Sequence, residues 1–203
     1  MYAIVENNQI TQYVNFPKSI VIGDVRYPAK IFELWSKAEK EAIGIYEIII
    51  DKTNYKDPGY YNNTNSSYTF ADGQVTESWG TATPKRLEDE DAVDEDGENI
   101  LDDDGNQVIN YGLKTEKKRI VKQQASGLLA PTDWYVIKAN EVSDYNVPEN
   151  VTTFRPDVRA KSNEMETQID ACTNVDELKA LYEYTRQEDG TITRPLAEFP
   201  EEI

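Results

Sequence analysis

Residues 87–105 divide the sequence into two parts of different character. The segment reads LEDEDAVDEDGENILDDDG and is dominated by carboxylate side chains. Like charges at this density repel one another and favour an exposed chain over a packed core. We therefore predict an α+β protein in which an acidic spacer, residues 87–110, separates a small strand-rich domain of residues 1–86 from a mainly helical region of residues 111–203.

The acidic segment contains two similar units, which end at Gly97 and Gly105. An EF-hand calcium loop needs oxygen ligands at its first, third and fifth positions before the glycine. Counting back from the two glycines puts Ala92 and Ile100 at the first position, so neither unit fits an EF-hand. The segment is typical of a solvated linker or of an exposed hairpin with glycine-containing turns. Calcium binding in another geometry stays an alternative.

The first third of the chain has the signals of short strands and one short helix. Asn-containing and Asp-Gly turns separate runs of β-branched and aromatic residues, which predicts hairpins. Ser36 and Glu39 have the spacing of a capping box, and Gly44 suits the left-handed position just past a helix end. A helix over residues 37–43 follows. The predicted strands are residues 2–5, 10–14, 19–22, 45–50, 68–70 and 75–77.

Tyr60 and Tyr61 open a short segment rich in tyrosine and asparagine, residues 60–65. Aromatic rings and amide groups together can stack on a sugar and bond to its hydroxyls, so these two tyrosines are candidate glycan contacts. The alternative is a polar loop whose aromatic side chains cover a strand surface.

The C-terminal part has mainly helical periodicity. Apolar residues at helical spacing predict a helix over residues 113–129, ended by Pro131. The run from Trp134 to Ile137 is predicted to be extended, with Trp134 buried. Pro148 or Pro156 can open the next helix, because proline is favoured in a first turn and costly later. If residues 151–172 form one helix, Pro156 should kink it. Asn174, with a glutamate three residues on, predicts the cap of a last helix.

Composition excludes several classes of function. The net charge of −17 argues against nucleic acid and anionic membranes as partners, because both repel an acidic surface. The chain has no histidine, which removes Ser-His-Asp and Cys-His catalysis and the commonest transition-metal ligand. Its densest carboxylates lack an apolar wall that would raise a pKa. We expect no enzyme, no cofactor and no metal centre.

The remaining global signals are weak. Cys172 is the one cysteine, and its place in a helical pattern favours a small buried hydrophobe over a reactive thiol. There is no basic and apolar N-terminal signal, and no apolar run of about 18 residues that could span a membrane. We therefore expect the chain to be made and assembled in a cytoplasm.

Residues 128–159 contain four short motifs whose order resembles the bacteriophage tail assembly chaperone family. The motifs are Leu128-Leu129, Thr132-Asp133-Trp134, Phe154-Arg155 and Val158-Arg159. The family pattern has two leucines, a Ser/Thr-Asp-Trp, a spacer, and then Tyr-Arg and Leu-Arg on a helix. The chain departs from it where Phe154 replaces the tyrosine and Pro156 follows Arg155. The opening MYAIVENNQI and residues 35–50 also look like small accessory proteins encoded beside tail-fibre genes.

The resemblance implies a site that binds a protein partner. Trp134 is a large apolar group with one donor, so it anchors either a core or a contact. Arg155 and Arg159 would share one helix face. They could pair internally with Asp133, with Asp144 or with the acidic segment, or one of them could meet a partner's carboxylate. The implied partner-binding residues are Leu128, Leu129, Asp133, Trp134, Phe154, Arg155 and Arg159.

The function implied by the resemblance is that of a phage tail or tail-fibre accessory protein. Such a protein assists fibre assembly or attachment in the host cytoplasm, with the tail of the virion as a further location. Two alternatives stay open. One is a permanent virion component of the baseplate, tail or head surface, and the other is a receptor-binding adhesin at the fibre tip.

Overall fold

A computed structural model describes all 203 residues of the chain. The chain forms two compact units, Met1–Pro84 and Lys85–Ile203. Strands dominate the first unit and helices dominate the second, so the predicted α+β class is confirmed. Residues 87–110, predicted as a spacer, belong to the second unit. None of the helices is long and apolar enough to cross a membrane.

The first unit is built on a curled five-stranded sheet with the strand order β2-β1-β5-β8-β7. Neighbouring strands are antiparallel except β5 and β8, which are parallel. Two further pairs, β3 with β4 and β6 with β9, lie outside this sheet. The strands are β1 (Tyr2–Glu6), β2 (Gln9–Val14), β3 (Ile20–Ile22), β4 (Val25–Tyr27), β5 (Ile45–Ile50), β6 (Tyr61–Asn62), β7 (Ser67–Ala71), β8 (Gln74–Ser78) and β9 (Thr83–Pro84).

Local signals place the turns and one helix of this unit. Asn7 and Asn8 both have positive φ between β1 and β2, as the hairpin prediction requires. The Ser36 and Glu39 capping box opens α2 (Lys37–Glu41). An additional helix, α1 (Ile31–Leu34), has no side-chain cap at its start, so the sequence carries no signal for it. The prediction of a single short helix is therefore wrong.

Both faces of the sheet carry apolar side chains. Ile4 and Ile45 are paired across β1 and β5, and they pack with Phe32 of α1 on one face. On the other face, Ala3, Ile48 and Val75 form a second cluster. This second face is enclosed because the sheet curls, as the ring centroids of Tyr13 on β2 and Tyr68 on β7 lie 4.7 Å apart.

The second unit contains two short strand pairs and four α-helices. Strand β10 (Glu90–Asp91) pairs with β11 (Ile109–Asn110), and β12 (Thr185–Arg186) pairs with β13 (Ile192–Thr193). A 3-10 turn, Ala130–Thr132, joins the first two helices of the unit. The helices are α3 (Leu113–Leu129), α4 (Asp133–Glu141), α5 (Glu149–Ala171) and α6 (Val175–Ala180).

Helices α4 and α5 each differ from a prediction made from the sequence. The run from Trp134 to Ile137 is part of α4, so its predicted extended form is wrong. A short apolar run fits a strand and a helix equally well, and here its backbone groups are bonded within a helix. Helix α5 starts after Pro148 and continues through Pro156, so the alternative of a start near Pro156 is also wrong.

The core beside the candidate site lies between α3 and α5. Ala125 of α3 packs with Phe154 and Val158 of α5. Leu128, Leu129 and Phe199 pack against this cluster. The C-terminal segment also lies on α5, since the Gln168 amide donates to Pro195 O at 3.1 Å and accepts from Ala197 N at 2.8 Å.

Candidate functional site

Arg155 organises the junction between α3 and α4. Its Nη1 donates to Leu129 O at 3.0 Å and to Thr132 Oγ1 at 2.6 Å, and its Nη2 lies 2.7 Å from Asp133 Oδ1. The arginine side chain is only 12% exposed. A cation here satisfies a carbonyl at the end of α3 and opposes the negative end of that helix. The guanidinium therefore fixes the point at which α4 leaves the helical core.

Arg155 forms an ion pair within its own unit, which was one of the two roles predicted for it. Its carboxylate partner is Asp133, which is itself half-exposed. Arg159 behaves differently, because its side chain is exposed and its Nη1 donates to Arg155 O at 3.3 Å. Although the two arginines lie four residues apart, the first is used inside the unit and the second faces solvent.

Three of the implied partner-binding residues contribute to the unit's own core. Phe154 is buried, and Leu128 and Leu129 are partly buried against its cluster. A partner could touch Phe154 only if the core opened. The leucine pair and the phenylalanine therefore contribute to the site only by packing α3 against α5.

Trp134 is 50% exposed, so the prediction that it is buried is wrong. It lies at the start of α4, a helix in which no residue is buried. Val136 and Ile137 of the same helix and Val142 just after it are also exposed. Trp134 and Ile137 lie three residues apart and share one side of α4, whereas Val136 faces another side. Neighbouring exposed apolar side chains are typical of an interaction site. We call Trp134, Val136, Ile137 and Val142 the α4 patch.

Aromatic and cationic contacts order the α4 patch. The ring centroid of Trp134 lies 3.9 Å from that of Tyr135 and 6.4 Å from that of Tyr145. Lys138 Nζ lies 4.2 Å from the Tyr145 centroid and 5.7 Å from the Trp134 centroid, within range of a cation–π contact. The tryptophan is thus held in place while one half of it stays open to solvent.

The sequence does not reveal several members of this site. Thr132 accepts a hydrogen bond from Arg155, and Lys138 lies near the rings of Trp134 and Tyr145. Thr132 belongs to the motif, but its bond to Arg155 joins residues far apart in the chain. Ile137 could have been found from helical spacing, because it lies three residues after Trp134 and so shares its face.

Tyr60 and Tyr61, the candidate glycan contacts, are 7% and 4% exposed. Lys56 Nζ also lies 4.3 Å from the Tyr61 ring centroid. Neither ring offers an open face for a sugar to stack on. The alternative explanation, aromatic side chains that cover a strand surface, fits their position at and beside β6.

Cys172 follows the end of α5 and is buried, as predicted. Its Sγ lies 3.4 Å from Gln168 O, and burial raises the pKa of the thiol. A raised pKa keeps the sulfur in its unreactive thiol form. No three His, Cys, Asp or Glu side chains are grouped so that they could hold a metal ion.

The site therefore consists of an exposed helix with apolar side chains, held by a largely buried guanidinium on a small helical core. The exposed area of the site is largely apolar and aromatic. Comparison of the chain with protein-family models, with curated proteins and with solved structures found no match.

Proposed function

We propose that the protein is a phage tail or tail-fibre accessory protein that binds a tail protein through the α4 patch. The observation that carries the proposal is that α4 displays Trp134, Val136 and Ile137 and buries none of its own residues. In this role the chain assists fibre assembly or attachment in the host cytoplasm. A permanent place in the virion is the alternative.

The shape of the α4 patch fits one known mode of recognition. An amphipathic helix that lays its apolar side into a groove binds through anchors spaced three or four residues apart. Trp134 and Ile137 have this spacing along α4. Tryptophan is among the residues that most often dominate the free energy of protein binding. We therefore expect Trp134 to be the central anchor, in an apolar groove of the partner.

The bonds of Arg155 favour this role because they reduce the conformational entropy that α4 loses when it binds a partner. A helix that is already formed and held in one orientation loses less entropy on binding than a flexible segment does. The guanidinium holds the first turn of α4 at Thr132 and Asp133. Arg155 is therefore a positioning residue, and its effect on a partner acts through α4.

Co-expression with the tail-fibre protein of the same phage tests the proposal. We expect the intact chain to raise the yield of soluble fibre and to co-purify with it. Trp134→Ala and Ile137→Ser should each weaken binding by about tenfold or more, as expected for a buried interface anchor. Ile192→Ser is the matched control, since Ile192 is also an exposed apolar residue of the second unit.

Two results would contradict the proposal. One is a fibre yield that does not change with the chain, and the other is equal binding by the Trp134 and Ile192 variants. Mass spectrometry of purified particles separates the accessory role from the structural alternative. Absence of the chain from particles favours the accessory role, and a high copy number favours a virion component.

A further inference from the structure

The acidic segment has an internal repeat of eight residues that forms two hairpins, and the pairing of its two ends makes a third antiparallel pair, which we count as the third hairpin. Each hairpin contains one pair of residues that are bridged across antiparallel backbone, and the last pair joins the two ends of the segment. The three pairs are Val93 with Asn99, Leu101 with Gln107, and Ile109 with Asp91. Residues 93, 101 and 109 are therefore structurally equivalent. We call residues 90–110 the three-hairpin unit.

Backbone hydrogen bonds close the three-hairpin unit into a ring. Ala92 N donates to Val108 O at 2.8 Å, Ile100 N donates to Ala92 O at 2.9 Å, and Val108 N donates to Ile100 O at 2.9 Å. Each of these equivalent residues gives one bond and receives one. The unit therefore has approximate three-fold symmetry within a single chain.

The first two turns repeat the same chemistry. The Asp94 carboxylate accepts from the N–H groups two and four residues further on, at 3.0 and 2.9 Å. Asp102 does the same in the next turn, at 3.0 and 2.8 Å. The third hairpin has no such turn, because its two arms come from the beginning and the end of the unit.

The unit is fixed to the start of α3. Asp89 accepts from Gly112 N at 2.8 Å and from Thr115 Oγ1 at 2.9 Å. The backbones of residues 88 and 112 are so close that a Cβ on Gly112 would lie 2.4 Å from the Glu88 carbonyl. The three-hairpin unit is thus bonded to the start of α3 and lies against it at Gly112.

The exposed surface of the unit combines apolar and acidic groups. Val93 is 50% exposed and Leu101 is 56% exposed, while Ile109 is partly exposed. Alternation along each arm puts these residues on the opposite face from Ala92, Ile100 and Val108. Between residues 87 and 113 the chain has eleven Asp or Glu residues and no Lys or Arg.

We propose that the three-hairpin unit is a docking surface for a homotrimeric protein that presents basic side chains around its three-fold axis. Val93, Leu101 and Ile109 would each face one subunit of the trimer. Only a three-fold partner can make the same contact at all three positions. The dense negative charge selects a basic end and repels an acidic one. This surface is separate from the α4 patch, so the inference does not depend on the proposed function.

The probes for the test are two designed parallel coiled coils, one trimeric and one dimeric, with the same apolar and lysine-rich end sequence. Each is titrated against the full chain by calorimetry at low salt. We expect one trimer to bind one chain, about tenfold more tightly than the dimer does, because three linked contacts act together. The double variant Val93→Ser and Leu101→Ser should lose this preference, whereas Ile192→Ser should keep it.

Each other outcome overturns the proposal. Equal binding of trimer and dimer would mean that charge alone attracts the probes. Preference for the trimer in the Val93 and Leu101 double variant would mean that the apolar positions are not the contact. No binding of the trimer would remove the site. Because both substituted residues are at least half-exposed, the circular dichroism spectrum of the double variant should match that of the intact chain.

Discussion

Arg155 joins three acceptors that lie in consecutive structural elements: the end of α3, the 3-10 turn and the first residue of α4. A lysine keeps the positive charge but has a single ammonium group, which cannot bond to all three in the same geometry. The role of the residue is therefore one of shape as much as of charge.

We expect Arg155→Lys to lower the free energy of unfolding by about 1–3 kcal/mol, because a single ammonium group leaves at least one of the three acceptors without its donor. The measurement is urea denaturation followed by circular dichroism. Arg159→Lys is the control and should change the same quantity by less than about 0.5 kcal/mol, because that side chain is exposed. A similar loss in both variants would show that Arg155 does not hold the junction.

Tyr68 gives the first unit a pH dependence at alkaline pH. Its hydroxyl donates to Glu77 Oε1 at 2.8 Å, and this hydrogen bond, with burial and the negative charge of Glu77, raises the pKa of Tyr68 to about 12. The folded state thus favours the neutral phenol. The stabilisation is complete below the ordinary pKa of about 10 and is lost as the pH rises through about 12.

The test measures the free energy of unfolding of the intact chain and of Tyr68→Phe between about pH 9 and about pH 13. We expect the intact chain to lose more of its free energy of unfolding than the variant does. An NMR titration of the Tyr68 ring gives the pKa directly. A midpoint at about 10 would refute the expected shift.

At the scale of elements, helix α5 contains a residue that destabilises it, Pro156. Pro156 lies in the interior of α5, where a proline has no backbone N–H to donate to the helix. Its side chain is exposed. A proline in a helix interior costs up to about 3 kcal/mol relative to alanine.

Pro156→Ala should therefore raise the free energy of unfolding, by about 1–3 kcal/mol. Chemical denaturation of the full chain measures this change. Asp157→Ala, at the next position, which is also exposed, is the control and should change stability by less than about 0.5 kcal/mol. If the two variants are equally stable, the backbone around Pro156 already compensates for the missing donor.

The sequence predicted the elements whose signals are local. The capping box at Ser36 and Glu39 and the cap at Asn174 are both present, because each involves residues three positions apart. The helical form of α4 was not predicted, since its apolar run is too short to show a period. The ion pair of Arg155 with Asp133 was one of the predicted alternatives. The bonds of Arg155 to Leu129 O and Thr132 Oγ1 were not predicted, because they join residues more than twenty positions apart.

The three-hairpin unit shows the same limit more clearly. Two acidic turns are visible in the sequence as similar units, whereas the third hairpin is not. It forms between Asp91 and Ile109, and neither residue lies in a repeated turn. A ring that closes through its own ends has no sequence signal at the point of closure.

At the scale of the whole molecule, the second unit should fold without the first. Its cluster of Ala125, Phe154 and Val158 contains no residue from the first unit. We expect a fragment of residues 85–203 to give a helical circular dichroism spectrum and a cooperative thermal transition. A fragment of residues 111–203 is the matched comparison.

The shorter fragment should melt at a lower temperature, because it lacks two carbonyls that bond to the start of α3. Leu113 N donates to Arg86 O at 3.0 Å, and Lys114 N donates to Leu87 O at 3.1 Å. Unpaired N–H groups at a helix start reduce stability. Equal melting temperatures for the two fragments would show that these bonds do not stabilise α3.

The closed ring in residues 90–110 also restricts how this gene segment can vary in length. In an open array of repeats, a unit can be duplicated or lost and the neighbours still stack. Here the bond from Ala92 N to Val108 O fixes the number of hairpins at three. An eight-residue copy that is added by slippage during replication would leave a fourth hairpin outside the three-membered ring of hydrogen bonds. A copy that is lost would leave two hairpins with unpaired backbone groups. Related chains should therefore vary here by substitution and by turn length, and not by copy number.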